Sequence, residues 1–165
     1  MDTIDKVNNL SKFDFISIFG NVFEKTKWVA KCAYDSKPYN NFEELFAKMI
    51  EIFENSNKEN HLKILRAHPD LAVKEKLTKD SEKEQSNASL NECSNKELRE
   101  FKKLNKEYKK KFGFPFIIAV KGKDKNEILM NFRQRIQNDV EREFLEAKKQ
   151  VKKIATFRLN EINKK

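Results

Sequence analysis

The stretch SNKELREFKKLNKEYKKKFGFPFIIAV, residues 94–120, carries the two patterns that decide the fold. Its first part spaces apolar side chains three and four residues apart, which predicts an amphipathic helix, and Ser94 with Glu97 is the capping-box signature of a helix start. The pattern breaks at Gly113, and a continuous apolar run follows as far as Val120. Taken alone, that run fits a buried strand. Because no partner strand is evident, a buried extended segment between helices fits equally well.

The helical spacing continues through the rest of the chain. Two further helix-start signatures and one late apolar stripe follow the same rules: Asn41 with Glu44, Asp124 with Glu127, and the stripe that begins at about Asp139. Glycine and proline number only three each, which is too few for the turns of an all-β fold. The sequence therefore predicts an all-α fold, a single-domain multi-helix bundle over residues 1–165 with a short buried extended segment near 112–120.

Composition and charge narrow the classes of partner. The net charge is +9, and a basic chain can bind nucleic acid or an anionic membrane. Here the lysines alternate with glutamates, and the densest run, Lys102 to Lys111, fits the solvated outer face of a helix. Cys32 and Cys93 lack metal-ligand spacing and fit reduced thiols, and no apolar stretch approaches a membrane span. We therefore expect a cytoplasmic protein with no metal, no nucleic-acid partner and no membrane partner.

The two histidines lie in different contexts. His61 follows a polar stretch and fits a solvated loop or helix-start residue. His68, in AHPDL at 67–71, follows an apolar run, and Pro69 moves the residue before it out of the α region, so a helix that ends near Ala67 would present His68 at its C-terminal end. An imidazole suits proton transfer near neutral pH. Histidines also cap helix C-termini, and these five residues alone favour the cap.

Two other groups of polar residues have both a chemical and a structural interpretation. Ser81, Glu84 and Gln85 share one face if their stretch is helical, but Ser81-x-x-Glu84 is equally a capping box with Gln85 as a solvated neighbour. Arg158 falls within the apolar stripe of the last helix, where a guanidinium requires an anion. That anion is either a structural carboxylate or a substrate carboxylate held bidentately, and periodicity leaves both open.

Taken in order, these motifs resemble the family of OHCU decarboxylase, 2-oxo-4-hydroxy-4-carboxy-5-ureidoimidazoline decarboxylase. The resemblance rests on AHPDL at 67–71, LT-x-x-S-x-x-EQ at 77–85, FGFPFIIAVKG at 112–122, FGNVFE-x-x-x-WVA at 19–30, NEIL at 126–129 and IA-x-x-RL at 154–159. It covers almost the whole chain, in order and at compatible spacing. Two departures are Val73 and Ser89, which stand where the family usually has glycine.

The resemblance implies an all-helical enzyme, commonly a homodimer, that decarboxylates OHCU to (S)-allantoin in urate degradation without a cofactor. It implies that His68 is the acid/base at the reacting carbon and that Glu84 holds or polarises the substrate hydroxyl or a ring N–H. The substrate-binding positions that it implies are Pro69, Ser81, Gln85, Phe116, Ile118 and Arg158. For Phe116 and Ile118 the implied contribution is hydrogen bonding by the backbone.

Two other functions stay open on the sequence. One is an enzyme of the same fold that acts on a related ureido or hydantoin acid. The other is a basic, non-enzymatic helical module that binds an acidic partner through its lysines. The second gives no reason for His68, the polar triplet and Arg158 to occur together.

Overall fold

A computed structural model describes residues 4–73 and 76–164. Within those ranges the regular secondary structure is helical and no strand is present, so the all-α prediction is confirmed. The elements are α1 (Ile4–Asn8), α2 (Lys12–Phe19), α3 (Lys27–Asp35), α4 (Phe42–Glu54), α5 (Lys58–Arg66), α6 (Lys79–Asn87), a 3-10 turn (Leu90–Glu92), α7 (Asn95–Phe112), α8 (Lys125–Arg135) and α9 (Val140–Asn163). No helix among these residues has the length and apolarity needed to cross a bilayer.

The predicted helix starts are confirmed by their caps. Asn41 caps α4 and Asp124 caps α8, and each side chain accepts the N–H three residues further on at 2.9 Å. Ser94 and Glu97 form the complete capping box of α7. This helix ends at Gly113, whose φ of 81° is the left-handed conformation that glycine adopts without strain. Each of these features depends on neighbours in sequence, which is why the sequence predicts them.

The described residues fall into two compact units, one up to Ala67 together with the residues from Lys152 onward, the other from His68 to Val151. The first unit contains α1 to α5 and the C-terminal half of α9. Its core is rich in fully buried phenylalanine, and Phe23 stacks on Phe53 with ring centroids 5.2 Å apart. A single domain over residues 1–165 stays a prediction.

His61 in the first unit is not the solvated residue that its polar neighbours predict. It lies within α5 and is buried, and its Nε2 is 2.7 Å from the carbonyl oxygen of Phe53. The imidazole also packs on the Phe53 ring, with centroids 5.0 Å apart. The prediction was wrong because the apolar surroundings come from α4, which the local pattern of residues 57–61 does not reveal.

The second unit has an aromatic core around Tyr108. The Tyr108 ring contacts Phe112, Phe114, Phe116 and Phe132. The residues from 114 to 120 are all buried and have no regular secondary structure, so of the two interpretations of this run the buried segment between helices is the one observed. The six lysines of the basic run lie exposed along α7, as predicted: Lys102, Lys103, Lys106, Lys109, Lys110 and Lys111.

Candidate active site

His68 begins the second unit immediately after a helix end. The helix α5 ends at Arg66, and the N–H of Ala67 donates to carbonyls of the last turn at 3.1 and 3.2 Å. The helix therefore stops just before the His68-Pro69 pair, as predicted. His68 is only 8 % exposed, whereas Pro69 is half-buried. An imidazole so placed is largely shielded from water, which favours specific proton transfer over exchange with solvent.

The loop after Pro69 is held by side chains of the second unit. Gln85 accepts the Ala72 N–H at 3.0 Å and donates to the Asp70 carbonyl at 3.2 Å. Asn105 on α7 donates to the Leu71 carbonyl at 3.0 Å. Two side-chain amides thus fix three consecutive residues of the loop, which includes the left-handed backbone of Ala72 at φ 55°. This arrangement restricts the direction in which the chain leaves His68-Pro69.

The polar triplet lies on α6, and its capping interpretation is wrong. The N-cap is Thr78, whose hydroxyl accepts the N–H of Ser81 at 3.3 Å. Because the helix begins one turn earlier than the capping box required, Ser81 is an interior helical residue with a buried side chain. Gln85 is also buried and Glu84 is half-buried. A hydroxyl, a carboxylate and an amide therefore occupy positions i, i+3 and i+4 of one helix, which share a face.

The segment that contains Phe116 and Ile118 is fixed by side chains of α8 and α9. Arg135 Nη1 donates to the Ile117 carbonyl at 2.6 Å, and Gln150 Oε1 accepts the Ala119 N–H at 3.0 Å. The Arg135 guanidinium also lies over the Phe116 ring, 4.4 Å from its centroid. The Phe116 side chain is therefore part of the core, so only its backbone is suited to the substrate contact that the sequence predicts.

Arg135 is held in turn by a buried carboxylate. Its Nε donates to Oε1 of Glu143 at 2.6 Å, and the Glu143 side chain is 0 % exposed. Tyr108 donates its hydroxyl to the same oxygen at 2.7 Å, and Asn138 donates to the other at 3.0 Å. Burial and the bond to this carboxylate raise the pKa of Tyr108 far above its ordinary value. The network therefore contains an ion pair with neutral donors around it, which is the condition for burying a carboxylate at tolerable cost.

Arg158 lies in the first unit and has a carboxylate partner. Its Nη1 is 3.2 Å from Oε1 of Glu24 and donates to the Asn21 carbonyl at 2.8 Å. Asn21 also donates its side-chain amide to Glu24 at 3.0 Å. The Arg158 side chain is 5 % exposed and that of Glu24 is 0 % exposed. Glu24 is therefore the structural carboxylate that the sequence left open as a partner of Arg158. The substrate-binding role of Arg158 stays a prediction.

Three polar residues that hold these elements were missed by the sequence analysis: Asn105, Arg135 and Gln150. Asn105 and Arg135 each lie one helical turn after a buried aromatic residue, Phe101 and Phe132. A polar residue on an apolar helical face is the signal that singled out Arg158, so the same search applied to these two helices would have found both. Gln150 gives a weaker signal, because Glu146, one turn before it, is polar as well. Within the described residues, no group of three or more His, Cys, Asp or Glu side chains is arranged to hold a metal ion.

Sequence comparison gives a consistent set of relatives. The profile of the OHCU decarboxylase family matches residues 8–160. The chain is 43 % identical over 162 residues to the uric acid degradation bifunctional protein of Bacillus sp. (strain TB-90), covering 98 % of this chain but 32 % of that longer protein. It is 36 % identical over 159 residues to the 2-oxo-4-hydroxy-4-carboxy-5-ureidoimidazoline decarboxylase of Haloferax volcanii, covering 96 % of this chain and 95 % of the relative.

Solved structures agree with the sequence relatives. A crystal structure of OHCU decarboxylase in the presence of (S)-allantoin superposes with a TM-score of 0.75 at 28 % identity, covering 88 % of this chain and 97 % of the other. A crystal structure of (S)-allantoin synthase superposes with a TM-score of 0.79 at 29 % identity over 98 % of this chain and 54 % of the other. The fold and its relatives define a carboxy-lyase, an enzyme that removes a carboxylate as CO2. The chain belongs to the OHCU decarboxylase family.

Proposed function

We propose that this protein decarboxylates OHCU to (S)-allantoin in urate degradation, without a cofactor. The observation that carries the proposal is the family match over residues 8–160, together with a decarboxylase relative matched over nearly its whole length. One of the matching motifs contains His68, and the loop that follows it is fixed by hydrogen bonds from Gln85 and Asn105.

The reaction does not require an added electron sink. The substrate carboxylate is attached to a carbon next to a ring C=N, and this imine accepts the electron pair as CO2 leaves. The enzyme has three remaining tasks: to align the breaking C–C bond with the π system, to remove the hydroxyl proton as the new carbonyl forms, and to protonate one face of the neighbouring carbon. The last task accounts for the single enantiomer of the product.

We assign the role of acid/base at the reacting carbon to His68, which is shielded from water and next to a fixed loop. Glu84 holds or polarises the substrate hydroxyl or a ring N–H, and Ser81 binds an amide group of the substrate from the same face of α6. Gln85 already bonds Asp70 and Ala72. An amide keeps a second lone pair and a second hydrogen after one bond at each end, which supports a further contact to substrate.

The remaining contacts are also proposals. Pro69 packs on the substrate ring, and the backbone of Phe116 and Ile118 supplies amide hydrogen bonds. Arg158 anchors an anionic or carbonyl oxygen of the substrate. A homodimer and a cytoplasmic location complete the proposal, and light scattering of the purified protein measures the first.

The direct test follows (S)-allantoin by circular dichroism. OHCU is generated in situ from urate by urate oxidase, which oxidises it, and hydroxyisourate hydrolase, which hydrolyses the product, with and without this protein. We expect rapid appearance of the (S)-allantoin signal, and a loss of kcat of about 100-fold or more in His68→Gln, because general acid–base catalysis contributes roughly 10²–10⁴-fold.

The control is the same substitution at the other histidine. His61→Gln keeps a donor for the Phe53 carbonyl and is expected to retain the rate. Slow, racemic product from the wild-type protein would refute the proposed function. A His68→Gln variant with near wild-type kcat would refute the assignment of His68 while leaving the function intact.

A further inference from the structure

Side chains bond the backbone around the Phe116–Ile118 segment at alternate residues. Arg135 donates to the Ile117 carbonyl, Gln150 accepts the Ala119 N–H, and Lys123 Nζ donates to the Ala119 carbonyl at 3.3 Å. A carbonyl at one residue and an N–H two residues further on lie on the same edge of extended backbone, as in a parallel ladder. In extended backbone the polar groups of the alternate residues, here Phe116 and Ile118, point to the opposite edge.

We propose that Arg135 and Gln150 are positioning residues that set the Phe116–Ile118 backbone amides for substrate. The inference rests on the proposed function and adds residues that do not themselves touch the substrate. Arg135 fixes two neighbours at once, because it bonds the Ile117 carbonyl and covers the Phe116 ring. Gln150 is fixed at its other end by donating to Glu146 at 3.0 Å.

The position of Arg135 is set by a partner that is fully buried. Glu143 accepts from the guanidinium Nε at 2.6 Å and from the Tyr108 hydroxyl at 2.7 Å. A guanidinium fork that is bonded at both a carboxylate and a backbone carbonyl has little freedom to rotate. The Ile117 carbonyl is therefore held by a rigid group, which is what a backbone binding edge requires, since its amides cannot adjust individually to a ligand.

The obvious variant, Arg135→Met, would leave Glu143 buried without its counterion, and such a variant can fail to fold. The test therefore uses Gln150→Met, which removes the acceptor for the Ala119 N–H at similar volume. We expect KM for OHCU to rise about tenfold with kcat changed less than threefold, because contacts made equally to substrate and transition state appear in KM. Gln134→Met, an exposed glutamine of α8, is the matched control and should keep both constants.

Comparing KM with the melting temperature of Gln150→Met separates positioning from general stability. A residue with only a structural role would lower the melting temperature and leave KM unchanged in the folded enzyme.

The outcomes distinguish the inference from the function on which it rests. If the wild-type protein does not convert OHCU, the proposed function is wrong and the inference fails with it. If the wild-type protein is active and Gln150→Met keeps its KM within twofold, the positioning role is wrong and the proposed function stands.

Discussion

Replacing Arg158 by methionine should destabilise the first unit strongly. The perturbation removes the guanidinium 3.2 Å from Oε1 of Glu24, whose side chain is 0 % exposed. Breaking a buried ion pair at one partner costs about 3–5 kcal/mol, because the remaining charge has no counterion. The native state of a domain is typically stable by only about 5–15 kcal/mol, so the expected loss is a large part of the total.

The assay is urea unfolding at 25 °C, followed by the fluorescence of Trp28. This is the single tryptophan and lies in the first unit. With a slope of about 1–3 kcal/mol/M, a loss of this size moves the midpoint by more than 1 M. The double variant Glu24→Gln with Arg158→Met should recover most of the loss, since no buried charge remains. Lys153→Met, at an exposed position of α9, is the control and should change the stability by less than about 0.5 kcal/mol.

A loss below about 1 kcal/mol in Arg158→Met would refute this reasoning, since a charge left unpaired in the core costs more than that. The same position tests the second role of Arg158. Arg158→Lys keeps the positive charge but not the planar fork, and the substrate-anchor prediction expects it to raise KM more than it lowers kcat. An unchanged KM in folded Arg158→Lys would leave Arg158 with the structural role alone.

Three further predictions concern stability. Ser89 has a left-handed backbone with φ 62°, so Ser89→Gly should stabilise the protein by about 0.5–1 kcal/mol, net of the freedom that glycine gains in the unfolded chain. Ser86→Gly, near the C-terminal end of α6, should instead destabilise it by about 0.5 kcal/mol or less. Thermal unfolding of both variants tests the contrast, and a loss of stability in Ser89→Gly would contradict it. Tyr108→Phe removes a buried donor to Glu143 and should cost about 1.5–3 kcal/mol in urea unfolding, and an unchanged midpoint would argue against the bond. Burial raises the pKa of Tyr39 to about 12 from 10.0, so between these pH values the folded state keeps a proton that the unfolded state loses. This contribution to stability should therefore be full below pH 10 and fall as pH rises toward 12. Tyr39→Phe should flatten that fall, which is measured as the urea midpoint at each pH.

The helices could be predicted from the sequence because their signals are local. Each cap needs only a residue and its neighbour three positions on, as at Ser94 and Glu97. Where two caps overlap, the local rule fails. Ser81 stands three residues before Glu84 and fits a capping box, but the structure uses Thr78 as the N-cap, and its hydroxyl accepts the Ser81 N–H. That choice depends on which side chains the helix buries, which involves residues elsewhere in the chain.

The candidate site was predictable in its reactive residues but not in its supports. Pro69 marks His68 locally, and Arg158 stands out as a charge on an apolar stripe. Glu24, the partner of Arg158, lies 134 positions away in the sequence, and no periodicity connects the two. The hydrogen bonds of Gln85 to Ala72 and Asp70 likewise join residues 13 and 15 positions apart in the sequence. The left-handed φ at Ser89 accounts for the glycine usual there, whereas beside Val73 the left-handed residue is Ala72.

The division of α9 between the two units has a consequence for biosynthesis. The second unit is one continuous stretch of sequence, but the first unit needs the residues from Lys152 onward. At a synthesis rate of roughly 5–20 residues per second, the ribosome needs roughly 7–27 s to pass from Glu24 to Arg158, 134 residues later. During that interval the nascent α1 to α5 region lacks the helix that carries the counterion of Glu24. We therefore expect chaperones to engage this region of the nascent chain first, and the completed second unit to need them less.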